Sequence, residues 1–389
     1  MLGNFIYYNP TKLYFGNQAA ENLVNAISGY GKKVLLVYGG GSIKTNGIYD
    51  TVVNALKAAG KDFTEVSGVM PNPTLEKVKE GVAVARSCDA DLILAVGGGS
   101  TIDYAKAVSA STWYDGDAWE NFWVKQNEPA PDQRIIPVGA VLTLSGTGSE
   151  MNGGSVITDE ETKMKLGKVF GYRLYPQFAI LNPEFTFSLP KNQMVAGMFD
   201  IMSHILEQYF SGDDDSTSDY ISEGLMRSLI ASSRVAIKDP KNYEARSNIM
   251  WIATWALNTL IGKGKTQDWE VHMIAHAIGA YTHATHGMAL AGVSGAYYKF
   301  IMKAAQARLA RFARVVWDVP ADGKTEEDLA AAGVAALEAW IKEIGAASNI
   351  SVLGVTEDMI EDIANATLLG GGYKTLTRDD VIQILKASL

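Results

Sequence analysis

The chain has 389 residues, 47% of them hydrophobic and 20% charged, the composition of a soluble globular protein with two or three domains. A net charge of −9 with no lysine- or arginine-rich run argues against nucleic acid and anionic membranes as partners. The single cysteine, Cys88, excludes internal disulfides and cysteine-based zinc sites, and no signal-peptide pattern or bilayer-length apolar run is present, so a cytoplasmic location is expected.

The first half alternates short apolar runs with helical patterns. VLLVY (34–38) reads as a buried strand, followed by GGGS and a helix through IYDTVVNALKAAG. FTEVSGV, a helix around LEKVKEGVAVARS, and a second buried strand, LILAV (92–96), come next. That strand also ends in GGGS and leads into TIDYAKAVSA, while RIIPVGAVLTL and SVITDEE continue the strand signals. This βαβ alternation predicts a parallel sheet covered by helices. After about residue 186 the helical period dominates, starting at SLPKNQ with Pro190 in the first turn. The expected organisation is an α/β domain over 1–187 and an all-helical domain over 188–389.

Both glycine turns fall at the ends of predicted parallel strands, where ligands bind in such sheets. AVGGGSTID lets backbone approach an anion, with the N–H groups and dipole of the next helix aimed at it. Glycines also serve tight strand-to-helix geometry alone, but a second such turn in YGGGSIK favours an extended ligand with separated phosphates. A dinucleotide fits, although neither turn has the G-x-G-x-x-G spacing. YGGGSIK offers a hydroxyl and a lysine but no acid, which leans toward NADP(H) over NAD(H). The Gly-Lys-Thr of IGKGKT (261–266) is a decoy: Thr259 stands where a phosphate loop needs glycine.

Four of the five histidines lie in HMIAHAIGAYTHATHG (272–287), and the fifth, His204, follows Asp200 by four in MFDIMSHILEQ. The i,i+4 spacing puts Asp200 and His204 on one helix face, as a structural pair or as metal ligands. HMIAH has zinc-protease spacing, but Met273 replaces the catalytic glutamate. His272 and His286 would lie about 21 Å apart on one straight helix, so sharing an ion requires the helix to end between them. Gly279 and the polar THAT stretch are the expected break. A sulfur-free Asp/His set suits Fe(II), Zn(II) or another borderline divalent ion.

NPTKLYFG, GGGSTIDYAK, LTLSGTGSE, FDIMSHILEQY, DWEVHMIAH and HATHG together resemble the iron-containing (group III) alcohol dehydrogenase family over nearly the whole chain. YGGGSIK is typical of its butanol dehydrogenase and NADPH-dependent aldehyde reductase branch. The resemblance implies a dehydroquinate synthase-like architecture: a Rossmann-like domain plus an all-helical domain, with the active site in the cleft between them, and a homodimer. It implies metal ligands Asp200, His204, His272 and His286, with His276 beside the catalytic centre but not a ligand. His283 matches no family histidine. It further implies a pyrophosphate turn at Gly98, Gly99 and Ser100 with Asp103 close by, and cofactor contacts from Thr143, Asn152 and Lys165. Gly39, Gly40 and Ser42 match the adenosine side, which receives the 2′-phosphate in NADP-preferring members. Trp269 is expected to line the substrate pocket.

The expected reaction is hydride transfer between NAD(P)H and a small aldehyde such as butyraldehyde, or the reverse with butanol, with Fe(II) the expected ion, Zn(II) its alternative, and His276 able to relay a proton. The rival within the same architecture is a glycerol or diol dehydrogenase. A non-catalytic nucleotide- or metal-binding protein is the rival outside it.

Overall fold

The apolar runs of the first half become one parallel sheet. The computed structural model describes residues 2–212 and 216–389, in two units: Tyr8–Leu189, and Pro190–Leu389 together with the N-terminal segment up to Tyr7. In the first unit the strands are β1 (Lys12–Phe15), β2 (Lys33–Tyr38), β3 (Asp62–Val66), β4 (Leu92–Gly97), β5 (Val138–Leu142), β6 (Gly154–Asp159), β7 (Met164–Val169) and β8 (Phe178–Leu181). Six of them form a sheet in the order β1-β8-β5-β4-β2-β3, while β6 and β7 pair as an antiparallel hairpin. All five ladders of the larger sheet are parallel.

Every residue of β4 is buried, which is why LILAVG is a continuous apolar run and does not alternate. The helices of this unit are α1 (Leu23–Ser28), α2 (Ser42–Thr45), α3 (Ile48–Ala58), α4 (Leu75–Cys88) and α5 (Gly99–Thr112). Thr74 caps α4 by accepting from the Lys77 N–H, and Asp89 ends it in the left-handed region at φ 47°. Tyr38 stands opposite Val96 in the β2–β4 ladder. The two glycine turns therefore leave the same sheet edge from neighbouring strands.

The second unit is helical: α6 (Lys191–Tyr209), α7 (Thr217–Ala236), α8 (Tyr243–Leu257), α9 (Glu270–Thr282), α10 (His286–Ile301), α11 (Gln306–Val316), α12 (Glu326–Ile344), α13 (Ile360–Ala366) and α14 (Arg378–Ala387). Pro190 is the N-cap of α6, one position before the first helical residue. From Met194 to Tyr209 every residue of α6 is buried, so it is the central helix of the unit, apolar except for a polar stripe that includes Asp200, His204 and Glu207. Capping boxes open α7 (Ser216 with Asp219), α12 (Thr325 with Asp328) and α14 (Thr377 with Asp380). No helix among the described residues is long and apolar enough to cross a membrane.

Candidate active site

In the helical unit, three imidazoles converge on one carboxylate oxygen. Asp200 Oδ1 lies 3.6 Å from His204 Nε2, 3.9 Å from His272 Nε2 and 3.7 Å from His286 Nε2. Ligands around a tetrahedral ion with bonds of about 2.1 Å sit about 3.4 Å apart, so the spacing suits a first-row divalent ion. Asp200, His204 and His272 are all buried, with one donor atom each within 4.8 Å of the others. The His286 side chain is 22% exposed and is the most open of the four. The His204 and His272 rings stack at 4.7 Å. The donor set fits Fe(II) or Zn(II).

Local structure explains this convergence. Asp200 and His204 are one turn apart on buried α6, where only their mutual proximity and polar partners offset desolvation. The helix carrying His272 ends before His286, as the spacing demands. The break falls in the THAT stretch and not at Gly279, which stays helical and accepts the His283 N–H at 3.0 Å. His283 takes φ 55°, a left-handed conformation that histidine tolerates better than most residues, and thereby caps α9. α10 then begins at His286 itself.

The remaining predicted residues of this region lie close by. The His276 ring is 5.1 Å from His286 and 6.2 Å from His272. Trp269 is the N-cap of α9, with its ring 5.2 Å from His272 and 6.2 Å from His204.

In the α/β unit the second turn runs straight into a helix. Gly98 is the N-cap of α5, which directs fourteen residues of helix away from the turn. A Cβ at Gly99 would lie 2.1 Å from the Thr147 hydroxyl oxygen, so that glycine also meets an internal packing demand. Thr143 donates its backbone N–H to Gly97 at 3.0 Å and so stands beside the turn on β5's end. The first turn differs. Helix α2 is only four residues long, and α3 starts after a break at Gly47, so no long helix aims its dipole at Gly39–Ser42. A Cβ at Gly40 would meet nothing within 4 Å, and its backbone is not left-handed. The packing and backbone conformation therefore do not require glycine at position 40.

Asp103, Asn152 and Lys165 are buried and already bonded within the unit. Asp103 accepts from Ser149 Oγ and, at 2.9 Å, from the Val156 N–H; burial pushes its carboxyl pKa up. Asn152 accepts from Gly154 N at 2.8 Å and donates to Gly148 O at 2.9 Å. Lys165 donates to Asn72 Oδ1 at 2.8 Å. Asp103 and Asn152 thus brace the loop from 143 to 152. Ser100 and Ser42 are accessible at their turns.

The iron-containing alcohol dehydrogenase family model matches residues 10–183, and the family's C-terminal model matches residues 194–389. The chain belongs to this family. It is 42% identical over 391 residues to the probable NADH-dependent butanol dehydrogenase 1 of Bacillus subtilis, covering 99% of this chain and 100% of that one. It is 36% identical over 357 residues to the NADPH-dependent aldehyde reductase YqhD of Escherichia coli, covering 91% and 90%. The crystal structure of NADH-dependent butanol dehydrogenase A from Thermotoga maritima superposes with a TM-score of 0.94 at 40% identity, covering 100% of this chain and 99% of that one.

Within this iron-containing alcohol dehydrogenase, several supporting residues escape a reading of motifs. Glu207 takes a hydrogen bond from His272 Nδ1 and, at 2.9 Å, one from Ser203 Oγ. That fixes the tautomer and turns the Nε2 lone pair toward Asp200 and its neighbours. Its signal was available: positions 200, 204 and 207 form one polar stripe on an apolar helix. Asp268 and Glu270 open α9 as buried carboxylates. Burial raises Asp268 to about 6, against hydrogen bonds from Tyr297 and the Glu270 N–H. Burial likewise raises Glu270 to about 7, against a hydrogen bond from the Gly370 N–H.

Proposed function

We propose that the chain is a metal-dependent, NAD(P)H-linked alcohol dehydrogenase and aldehyde reductase acting on small primary alcohols and aldehydes such as butanol and butyraldehyde. The observation that carries this is the convergence of three imidazole nitrogens on Asp200, in a chain whose α/β unit presents two glycine turns on one sheet edge. Asp200, His204, His272 and His286 would hold one divalent ion, Fe(II) first and Zn(II) second. Bound there, the ion supplies Lewis acidity to the carbonyl or alkoxide oxygen.

The chain's own residues do the rest. Glu207 keeps His272 in the ligating tautomer, and Trp269 walls the space beside His204 and His272. In the reductive direction the aldehyde gains a hydride at carbon and a proton at oxygen, and His276 relays that proton from solvent. Gly98, Gly99 and Ser100 receive the pyrophosphate at the start of α5, with Thr143, Lys165 and the loop braced by Asp103 and Asn152 beside it. Gly39, Gly40 and Ser42 receive the adenosine end. Ser42 and Lys44 favour the 2′-phosphate of NADPH. The enzyme is read as cytoplasmic and homodimeric, with light scattering as the check on assembly.

The deciding experiment is oxidation of NADPH and NADH with butyraldehyde after chelation and after Fe(II) or Zn(II) add-back, with glycerol and 1,3-propanediol assayed in the reverse direction. Metal-dependent reduction of butyraldehyde is expected. Turnover of polyols without simple aldehydes would replace this reading with the diol one. His204→Ala should lose metal and activity together; retention of both would sink the ligand assignment. His276→Ala should alter the pH–rate profile, and an unchanged profile would remove the proton relay.

A further inference from the structure

The first glycine turn lacks an acid of its own, but the fold brings one to it. Glu65 lies on β3, the edge strand next to β2, opposite Leu36 in the ladder. Tyr38 ends β2 and Tyr49 sits in the first turn of α3. Both phenol hydroxyls donate to this one carboxylate: Tyr49 to Oε1 at 2.5 Å, and Tyr38 to Oε2. Lys44 extends from α2 into the same cluster. Its Nζ is 3.8 Å from Glu65 Oε2 and lies over the Tyr38 and Tyr49 rings at 5.1 and 4.7 Å. The side chains of Glu65 and Lys44 remain 31% and 49% exposed, so both charges are open to a ligand.

An exposed glutamate ordinarily samples many rotamers, and its charge is spread over them. Two phenol donors and a lysine from three separate elements instead hold this one in place. Partial burial alone would raise the carboxyl pKa. The two phenol hydrogen bonds, with Lys44, outweigh it and bring the group below the ordinary carboxylate range. Each carboxylate oxygen can accept a second hydrogen bond beyond the phenol's. A fixed, ionised acceptor next to an adenosine-binding turn suits a ribose hydroxyl and opposes a phosphate.

We propose that Glu65 sets the nucleotide preference of the enzyme: its carboxylate offsets Lys44, favours the ribose 2′-hydroxyl of NADH, and repels the 2′-phosphate of NADPH. The proposal rests on the reading of Gly39–Ser42 as the adenosine side. Ser42 and Lys44 pull toward NADPH, Glu65 pulls back, and the wild-type discrimination is the narrow difference.

The test is isothermal titration of NADPH and of NADH into the chelated full-length protein, comparing wild type, Glu65→Gln and Lys44→Met, so that binding is read without turnover. Glutamine keeps one oxygen to accept from one tyrosine hydroxyl, and its amide N–H can donate to the other, so the local fold is preserved. Glu65→Gln should raise the ratio of NADPH to NADH affinity by roughly tenfold, the scale of one charge acting on a phosphate a few ångströms away in a water-like medium. Lys44→Met should lower that ratio by a similar factor. A ratio that moves for Lys44→Met but not for Glu65→Gln overturns the role of Glu65 and leaves the turn assignment standing. A ratio that moves for neither overturns the turn assignment, and the proposal with it.

Discussion

At the scale of single residues, His272 shows how the site is tuned. One ring nitrogen faces Asp200 at 3.9 Å, and the other is engaged by buried Glu207. A carboxylate partner makes the ligating nitrogen more basic and holds the ring in place. Glu207→Ala is therefore expected to weaken metal binding about 10- to 100-fold, with Glu207→Gln less affected because its oxygen can still accept the Nδ1 proton. Chelator competition measures this directly, and equal affinity in all three proteins would show that the pair is only structural. Lys106 is the corresponding residue of the α/β unit. It is fully buried and donates to Ser149 Oγ at 2.8 Å, Gly154 O at 2.7 Å and Asn152 Oδ1 at 3.3 Å. Burial nevertheless lowers its pKa to about 8, against the charges of Asp103 and Glu150. Since the folded pKa lies below the unfolded one, the unfolded state holds more protons between about pH 8 and 10.5, and stability from this group rises with pH across that window. Relative to Lys106→Met, the wild type should gain on the order of 3 kcal/mol over that range, read by denaturant unfolding at several pH values. A difference independent of pH would mean that the lysine does not titrate there.

At the scale of elements, the link between α9 and α10 determines whether the donors meet. The sequence demanded a break between His272 and His286, because distance along a helix is fixed per residue. It could not say that His283 would supply the left-handed cap. Nor could it say that α10 would press against α6 so closely that a Cβ at Gly287 would lie 2.0 Å from the Ala196 carbonyl oxygen. That contact lies one turn before Asp200 and next to His286. Gly287→Ala must push the two backbones apart. It should cost roughly 1–3 kcal/mol in overpacking and lower the metal content, measured by thermal melts and metal analysis; a variant with wild-type stability and full metal would show the contact to be incidental. The same division runs through the fold. Strand runs, helix periods and glycine turns are local patterns and were legible. The pairing of Lys12 with Phe178, the arrival of Glu65 beside Lys44, and the bracing of Asn152 by Lys106 join positions far apart in the chain, which periodicity cannot register. Glu207 lies between these cases: its helical spacing was visible, but its partner on another helix was not.

At the scale of the whole molecule, the proposed chemistry is divided between two separately cored units. All four proposed metal donors and His276 lie within Pro190–Leu389, and every residue proposed to meet the nucleotide lies within Tyr8–Leu189. A ligand that binds only the native form of a unit stabilises that form by mass action, and the gain is greatest where the ligand ties segments together. A metal joining α6, α9 and α10 should therefore slow amide exchange in those three helices, which a chelator would reverse. Nucleotide should slow exchange around residues 39–44, 97–103 and 143–152. Hydrogen exchange on the full-length protein with metal alone, nucleotide alone and both resolves the two patterns. Segregated protection by the single ligands would place each function in its own unit. Protection of the 39–44 and 97–103 turns by metal alone would show instead that the ion's effect is transmitted beyond the helices that hold it, and the ligand assignments would then need an energetic coupling between units to explain the data.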